Sequence, residues 1–160
     1  MKSVRWTNLL THPLLALAFR LYLGGLFIYA SLYKINYTAE FAETIASYQM
    51  VPYWGVNLLA VILPWIELVS GILLVIGLRT RAVAGVVGFL LLLFTLGIVY
   101  NLLLGSEISC GCFQSLEDPI SLWTVFRDLI WLAMAVHVFF FDRTFQVERR
   151  YLPAIGEVQE

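Results

Sequence analysis

Four long apolar runs, separated by short polar stretches, dominate the chain. They predict membrane spans at about residues 14–35, 56–78, 82–104 and 119–141. An α-helix rises ~1.5 Å per residue, so about 20 apolar residues cross a hydrocarbon core ~30 Å thick. The runs do not alternate apolar and polar residues as the strands of a membrane barrel do. The pattern therefore predicts an all-α fold, an integral membrane four-helix bundle.

We expect residues 1–160 to form one transmembrane domain whose last part, 142–160, is a cytoplasmic tail. The first run is too long for the apolar core of a signal peptide and contains Arg20, so we interpret it as a retained span. Asp118 and Pro119 predict the start of the fourth helix, because aspartate is a favoured N-cap and proline a favoured first residue.

The stretch between the first two spans predicts a short amphipathic helix in the outer interface. We expect Pro52 to end this helix and Tyr53 and Trp54 to lie at the level of the lipid headgroups. The apolar side chains of the helix are Phe41, Ile45 and Tyr48, and the polar ones are Glu40, Glu43 and Gln49.

Composition supports the membrane assignment. The chain is 61% hydrophobic and 13% charged, whereas soluble domains average about 45–50% and about 25%. Its net charge of −1, without a clustered basic face, argues against a nucleic-acid partner and leaves membrane lipid as the expected surroundings.

The distribution of charge predicts the orientation. Four spans place both termini on one side, and seven of the ten Lys and Arg residues fall there: Lys2, Arg5, Arg79, Arg81, Arg143, Arg149 and Arg150. The two opposite loops contain Lys34 as their sole basic residue, with five acidic ones: Glu40, Glu43, Glu107, Glu117 and Asp118. Cytoplasmic loops collect Lys and Arg. We therefore expect an inner (plasma) membrane protein with cytoplasmic termini and periplasmic or extracellular opposite loops.

Several ionisable residues fall within the predicted spans: Arg20, Glu67, Arg127, Asp128 and His137. Such groups usually face the bundle interior and pair. By height, Arg20 and Arg127 are each within reach of Glu67, whereas Arg127 and Asp128 diverge by about 100° on a helix. Arg20, Glu67 and Arg127 are thus either a structural polar core or a cavity that binds a quinone or relays protons. For His137, packing is a better expectation than a ligand role.

The chain's two cysteines, Cys110 and Cys112, lie in the loop before the fourth span. Two cysteines cannot complete a four-ligand zinc site, so no metal is expected. A haem attachment would read Cys-x-x-Cys-His. A disulfide across one residue is tight, but Gly111 allows the necessary bend. On the oxidising side of a membrane, the pair is a redox-active disulfide, a link to another chain, or two incidental thiols.

Three segments resemble those of known membrane proteins. "FRLYLGGLFIYASLYKI" and "LPWIELVSGILLVIGLRTRAVA" resemble the first two spans of the DoxX-like family. "SCGCF", followed by "WTVFRDLIWL", is similar to the MauE (methylamine utilisation) branch, although Gln114 stands where its loop commonly has glycine. The resemblance covers most of residues 14–141.

The resemblance implies a four-helix bundle, related in outline to quinone-linked disulfide enzymes, that works with a thioredoxin-like periplasmic partner. In methylamine users the implied role is disulfide formation in a periplasmic dehydrogenase subunit. Cys110 and Cys112 would be catalytic, and quinone the implied cofactor. The alternative is a non-enzymatic accessory subunit of a larger membrane complex. A solute carrier fits poorly, because the chain shows no internal inverted repeat.

Overall fold

A computed structural model of the protein describes residues 13–105 and 121–142, and these residues contain helices and no strand. The helices are α1 (Pro13–Asn36), α2 (Thr38–Ser47), α3 (Tyr53–Ile76), α4 (Thr80–Leu103) and α5 (Leu122–Phe141). All except α2 are long and apolar enough to cross a membrane. The predicted all-α, four-span architecture is confirmed. Cys110, Cys112, Asp118, Pro119 and residues 143–160 of the predicted tail lie outside the described residues.

The spanning helices alternate in direction, so one end of the bundle carries the end of α1, the start of α3, the end of α4 and the start of α5. We call this the α2 end, because α2 lies between α1 and α3 there. Gly105 and Ser121, the described residues on either side of the cysteine segment, both lie at this end. The Ser121 side chain caps α5 by accepting a hydrogen bond from the Thr124 backbone N–H at 3.4 Å. The predicted helix start at Asp118 and Pro119 is therefore wrong, because Ser121 is extended and α5 begins at Leu122.

The amphipathic helix expected between the first two spans is present as α2. Phe41, Thr44 and Ile45 are buried, and Phe41 and Ile45 pack with Val56 and Ala60 of α3. The expected end of α2 is wrong. The helix stops at Ser47, because Gln49 turns into the left-handed region at φ 54°, and Pro52 instead serves as the N-cap of α3.

Two glycines bring α1 and α3 together. A Cβ on Gly71 would lie 2.9 Å from the Gly24 carbonyl oxygen, and one on Gly24 would lie 2.7 Å from Val75 Cγ2. Membrane helices gain packing contacts where small residues let their backbones approach. The core next to this crossing is apolar: Leu23, Phe27, Leu74, Val83, Ala84, Val87, Leu90, Leu91, Trp131, Ala135 and Val138.

The opposite end of the bundle carries the tight turn between α3 and α4. Gly77 adopts a left-handed conformation at φ 84°, and the N–H groups of Gly77 and Leu78 both donate to the Leu73 carbonyl at 2.9 and 3.1 Å. This arrangement ends a helix with its last carbonyls satisfied. Arg79 and Arg81 are exposed here.

Candidate functional site: a buried ionic cavity

The Lys34 ammonium binds both carboxylate oxygens of Glu67, at 2.7 Å to Oε1 and 2.8 Å to Oε2. The two side chains are only 5% and 3% exposed. The predicted position of Lys34 in a loop opposite the termini is wrong, because α1 continues to Asn36 and this side chain is buried in the bundle. The expected pairing of Glu67 with an arginine is also wrong.

The direction of side chains on a helix explains why Lys34 and Glu67 meet. Each Cα–Cβ bond tilts toward the N-terminus of its helix. Lys34 near the end of α1 therefore leans away from the α2 end, while Glu67 in the middle of the antiparallel α3 leans toward it. The lysine spans the remaining distance with its long side chain.

Aromatic rings enclose the ammonium. The Lys34 Nζ lies 4.9 Å from the ring centroid of Phe41 on α2 and 4.9 Å from that of Phe94 on α4. A cation that has lost its water is attracted to the face of such rings. Residues of α1, α2, α3 and α4 thus meet around one buried charge.

A second ion pair lies on α5. The Arg127 Nε and Nη2 donate to Asp128 Oδ1 at 3.3 and 3.2 Å, and the guanidinium stacks over the Trp131 ring at 4.6 Å. The expectation that these neighbours would face apart is wrong, because the long arginine side chain bends back to its neighbour. Asp128 is 2% exposed in its side chain, and Arg127 is 31% exposed.

The two ion pairs share one small cavity of about 40 Å³. It lies between the four spans, and its walls are Leu26, Phe27, Ala30, Lys34, Glu67, Leu91, Phe94, Asp128 and Trp131. Glu67 comes from α3 and Asp128 from α5, so the fold brings two carboxylates from distant parts of the chain to one space. The Lys34 ammonium is the cation that lines it.

Tyr48, in the connection after α2, lies close enough to Asp128 for the two groups to interact electrostatically. The Asn101 side chain of α4 donates to the Tyr48 carbonyl at 3.3 Å and to the Gly97 carbonyl at 3.1 Å, which ties the connection to α4. Burial, with a smaller contribution from the charge of Asp128, raises the pKa of the Tyr48 phenol to about 12. The hydroxyl is therefore neutral at physiological pH.

Arg20 belongs to a different site. Its Nη1 donates to Asp142 Oδ2 at 3.1 Å, with side-chain exposures of 3% and 0%. Arg20 is therefore not brought together with Glu67 as expected. His137 lies between the rings of Phe19 and Phe141, at 5.2 and 4.9 Å, in agreement with the expected packing role.

Apolar residues separate the two ionic sites. Leu23 and Phe27 lie between Arg20 and Lys34 on α1. Trp131, Ala135 and Val138 lie between Asp128 and Asp142 on α5, and all five are buried in one cluster. The cavity near the α2 end and the Arg20 pair near the opposite end are therefore distinct polar sites.

Sequence comparisons identify the protein family to which this chain is similar. The model of the family described as "Methylamine utilisation protein MauE" matches residues 12–141. The methylamine utilization protein MauE of Paracoccus denitrificans is 30% identical over 133 residues, which cover 82% of this chain and 72% of that relative. The MauE protein of Methylophilus methylotrophus is 31% identical over 135 residues, covering 82% of this chain and 70% of its own.

A third relative, the MauE protein of Methylorubrum extorquens, is 32% identical over 108 residues, or 67% of this chain and 58% of that protein. No solved structure matches the chain. The match at residues 12–141 includes all five helices of the described residues, and both cysteines. The chain belongs to the MauE family, as a membrane protein with several spans.

Proposed function

We propose that the protein exchanges disulfides at the membrane surface, with Cys110 and Cys112 as the catalytic pair, and that it supports methylamine utilisation. The observation that carries this proposal is the Cys-Gly-Cys tripeptide within a segment whose flanking residues, Gly105 and Ser121, both lie at the α2 end. The names of the relatives refer to methylamine utilisation. Maturation of a periplasmic dehydrogenase that needs disulfides is a role of this kind.

We further propose that the α2 end faces the periplasm and that the protein lies in the inner membrane. Arg79 and Arg81 are exposed at the opposite end, and basic residues collect on the cytoplasmic side. Periplasmic exposure would keep the cysteine pair in a compartment where disulfides persist.

The proposed exchange conserves electrons and protons. A thiolate of a thioredoxin-like partner attacks the Cys110–Cys112 disulfide, which forms a mixed disulfide and releases one cysteine as a thiolate. The second thiolate of the partner then attacks the mixed disulfide. The partner leaves as a disulfide, and Cys110 and Cys112 are left as thiols after taking up two protons. Two electrons have passed from the partner to the pair.

Reoxidation of the pair needs an acceptor of two electrons, and a membrane quinone is the acceptor class that the family resemblance implies. The donors of the buried cavity suit a quinone oxygen, since Lys34 carries an ammonium. The volume does not suit a quinone ring, because about 40 Å³ is far below the roughly 300–1,000 Å³ of small-molecule pockets. We therefore assign no step of the exchange to a quinone in this cavity.

Thiol trapping in cells tests the proposal. Native membranes are quenched with acid and alkylated, and the ratio of dithiol to disulfide at Cys110 and Cys112 is measured by mass spectrometry with and without reductant. A catalytic pair cycles between both states. A pair that stays fully reduced under mild oxidant contradicts the proposal and favours a docking role in a larger membrane complex.

A further inference from the structure

Four charged side chains lie on the walls of the buried cavity or bind directly to its walls. Its walls or their direct partners include two cations, Lys34 and Arg127, and two carboxylates, Glu67 and Asp128. Because the charges balance, the site does not call for an added ion. Charged side chains in a membrane interior are costly and commonly mark proton or ion pathways.

The volume of the cavity limits the kind of molecule that it can hold. A water molecule needs about 10–15 Å³ of such space and two to four polar partners. A cavity of about 40 Å³ with three charged side chains on its walls therefore accommodates a few water molecules. Water in this position would connect the Lys34–Glu67 pair with Asp128.

We infer that this cavity is a water-filled proton-binding site, and that the Asp128 carboxylate is the group that takes up and releases the proton. The alternative acceptor is Glu67, whose two oxygens are both bound by Lys34 at 2.7 and 2.8 Å. A proton on Glu67 would leave the Lys34 ammonium buried without its counter-charge, which is strongly unfavourable.

Asp128 differs from Glu67 in its partner. Arg127 binds Oδ1 at 3.2 and 3.3 Å, is 31% exposed and stacks on Trp131. The guanidinium therefore keeps favourable surroundings when Asp128 becomes neutral. Other groups near Asp128 are Lys34 of α1, Glu67 of α3 and the neutral Tyr48 after α2. The residues of α4 on the cavity wall, Leu91 and Phe94, do not titrate.

Hydroxyl-radical footprinting of the native protein tests whether the cavity contains water. Leu90 and Leu91 of α4 are both 5% exposed, but Leu91 lines the cavity and Leu90 does not. Radicals formed from water inside the cavity should label Leu91 several-fold faster than Leu90. Filling the space with Ala30→Leu should remove the difference. Equal labelling of Leu90 and Leu91 in the native chain would overturn the inference, and this comparison requires no variant to fold.

Infrared difference spectroscopy on acidification tests the proton acceptor. The native protein should show a carboxylic acid band that is lost in Asp128→Asn, retained in Glu67→Gln and shifted in Asp128→Glu. A band that persists in Asp128→Asn, or vanishes in Glu67→Gln, would assign the proton elsewhere. If Asp128→Asn fails to fold, an unshifted band in Asp128→Glu overturns the assignment and a shifted one supports it. Proton binding at Asp128 needs no cysteine, so the band should also appear in the Cys110→Ser/Cys112→Ser variant, whatever becomes of the exchange activity.

Discussion

Lys34 in the last turn of α1 and Glu67 in the middle of α3 form a bidentate ion pair that is closed to solvent. The rings of Phe41 and Phe94 pack against the Lys34 ammonium, so α2 and α4 both contact this ion pair. Removal of one partner from such a pair costs more than removal of both, because the remaining charge stays buried.

Glu67→Ala should therefore destabilise the protein by roughly 3–5 kcal/mol. Lys34→Met combined with Glu67→Leu should recover much of this loss, because the hydrocarbon chains fill a similar volume without charge. Unfolding in mixed detergent micelles measures both variants. Glu43→Ala is the matched control, since Glu43 is exposed on α2 and its loss should change the stability little. If the double variant is as unstable as Glu67→Ala, the cost does not come from an unpaired charge.

The spans were predictable from sequence because the membrane imposes a long apolar run on each of them. The span predicted at 14–35 corresponds to the observed helix Pro13–Asn36, and the span predicted at 82–104 corresponds to Thr80–Leu103. The apolar run predicts a start at residue 56, three residues late, because the interfacial residues Tyr53 and Trp54 precede that run. They belong to its first turn, because Pro52 caps the helix directly before Tyr53.

The partners of the buried charges were not predictable by counting heights. The height of a residue along its helix does not show which helices are neighbours. It also does not show how far a lysine side chain extends along the helix axis. Lys34 was assigned to a loop because it lies at the very end of an apolar run. Asp142 was missed because it follows the last apolar run, yet it is fully buried against Arg20. The sequence did contain a signal for this pair: an acidic residue directly after one span and an arginine near the same end of another span.

The crossing of α1 and α3 gives a prediction with an internal control. Gly71→Ala should destabilise the bundle by about 1–3 kcal/mol, because the new methyl group would press on the Gly24 backbone oxygen at 2.9 Å. Gly25→Ala should be neutral or stabilising, since a Cβ at Gly25 meets no atom within 4 Å and alanine favours a helix. Unfolding in detergent compares the two variants. Equal effects at Gly71 and Gly25 would mean that the close approach does not contribute to stability.

The left-handed backbone at Gln49 gives a prediction for the connection after α2. Gln49 is exposed with φ 54°, a conformation that costs a residue with a Cβ roughly 1–2 kcal/mol. Gln49→Gly should therefore stabilise the protein by up to about 1 kcal/mol, and Gln49→Val should destabilise it. Ser47→Gly provides the contrast, because a glycine in helical α2 has no such strain to relieve and should destabilise. A loss of stability in Gln49→Gly would show that the turn is not strained.

Single-cysteine labelling tests the proposed orientation. In a Cys110→Ser/Cys112→Ser background, Ala39→Cys on the exposed side of α2 should react with a membrane-impermeant maleimide in intact cells. Arg81→Cys, exposed at the opposite end, should react only after permeabilisation. In the native chain after reduction, Cys110 and Cys112 should label like Ala39→Cys. The reverse pattern would place the cysteine pair in a reducing compartment and remove the basis for disulfide exchange.

Trapping of the partner tests the order of the exchange. Thiol–disulfide exchange is reversible, so the cysteine that carries the partner in the mixed disulfide can also form this adduct by attacking an oxidised partner, while its twin is the group that closes the Cys110–Cys112 disulfide again. When the twin is replaced, this closure is blocked, and a covalent adduct with the partner should persist on a non-reducing gel. One of Cys110→Ser and Cys112→Ser should therefore trap a partner, the other should not, and the double variant should trap none. Gly111→Val should slow cycling while keeping both sulfurs, because a β-branched side chain resists the bend that a disulfide across one residue requires. Absence of any adduct from both single variants, together with normal growth on methylamine, would show that the pair is not catalytic.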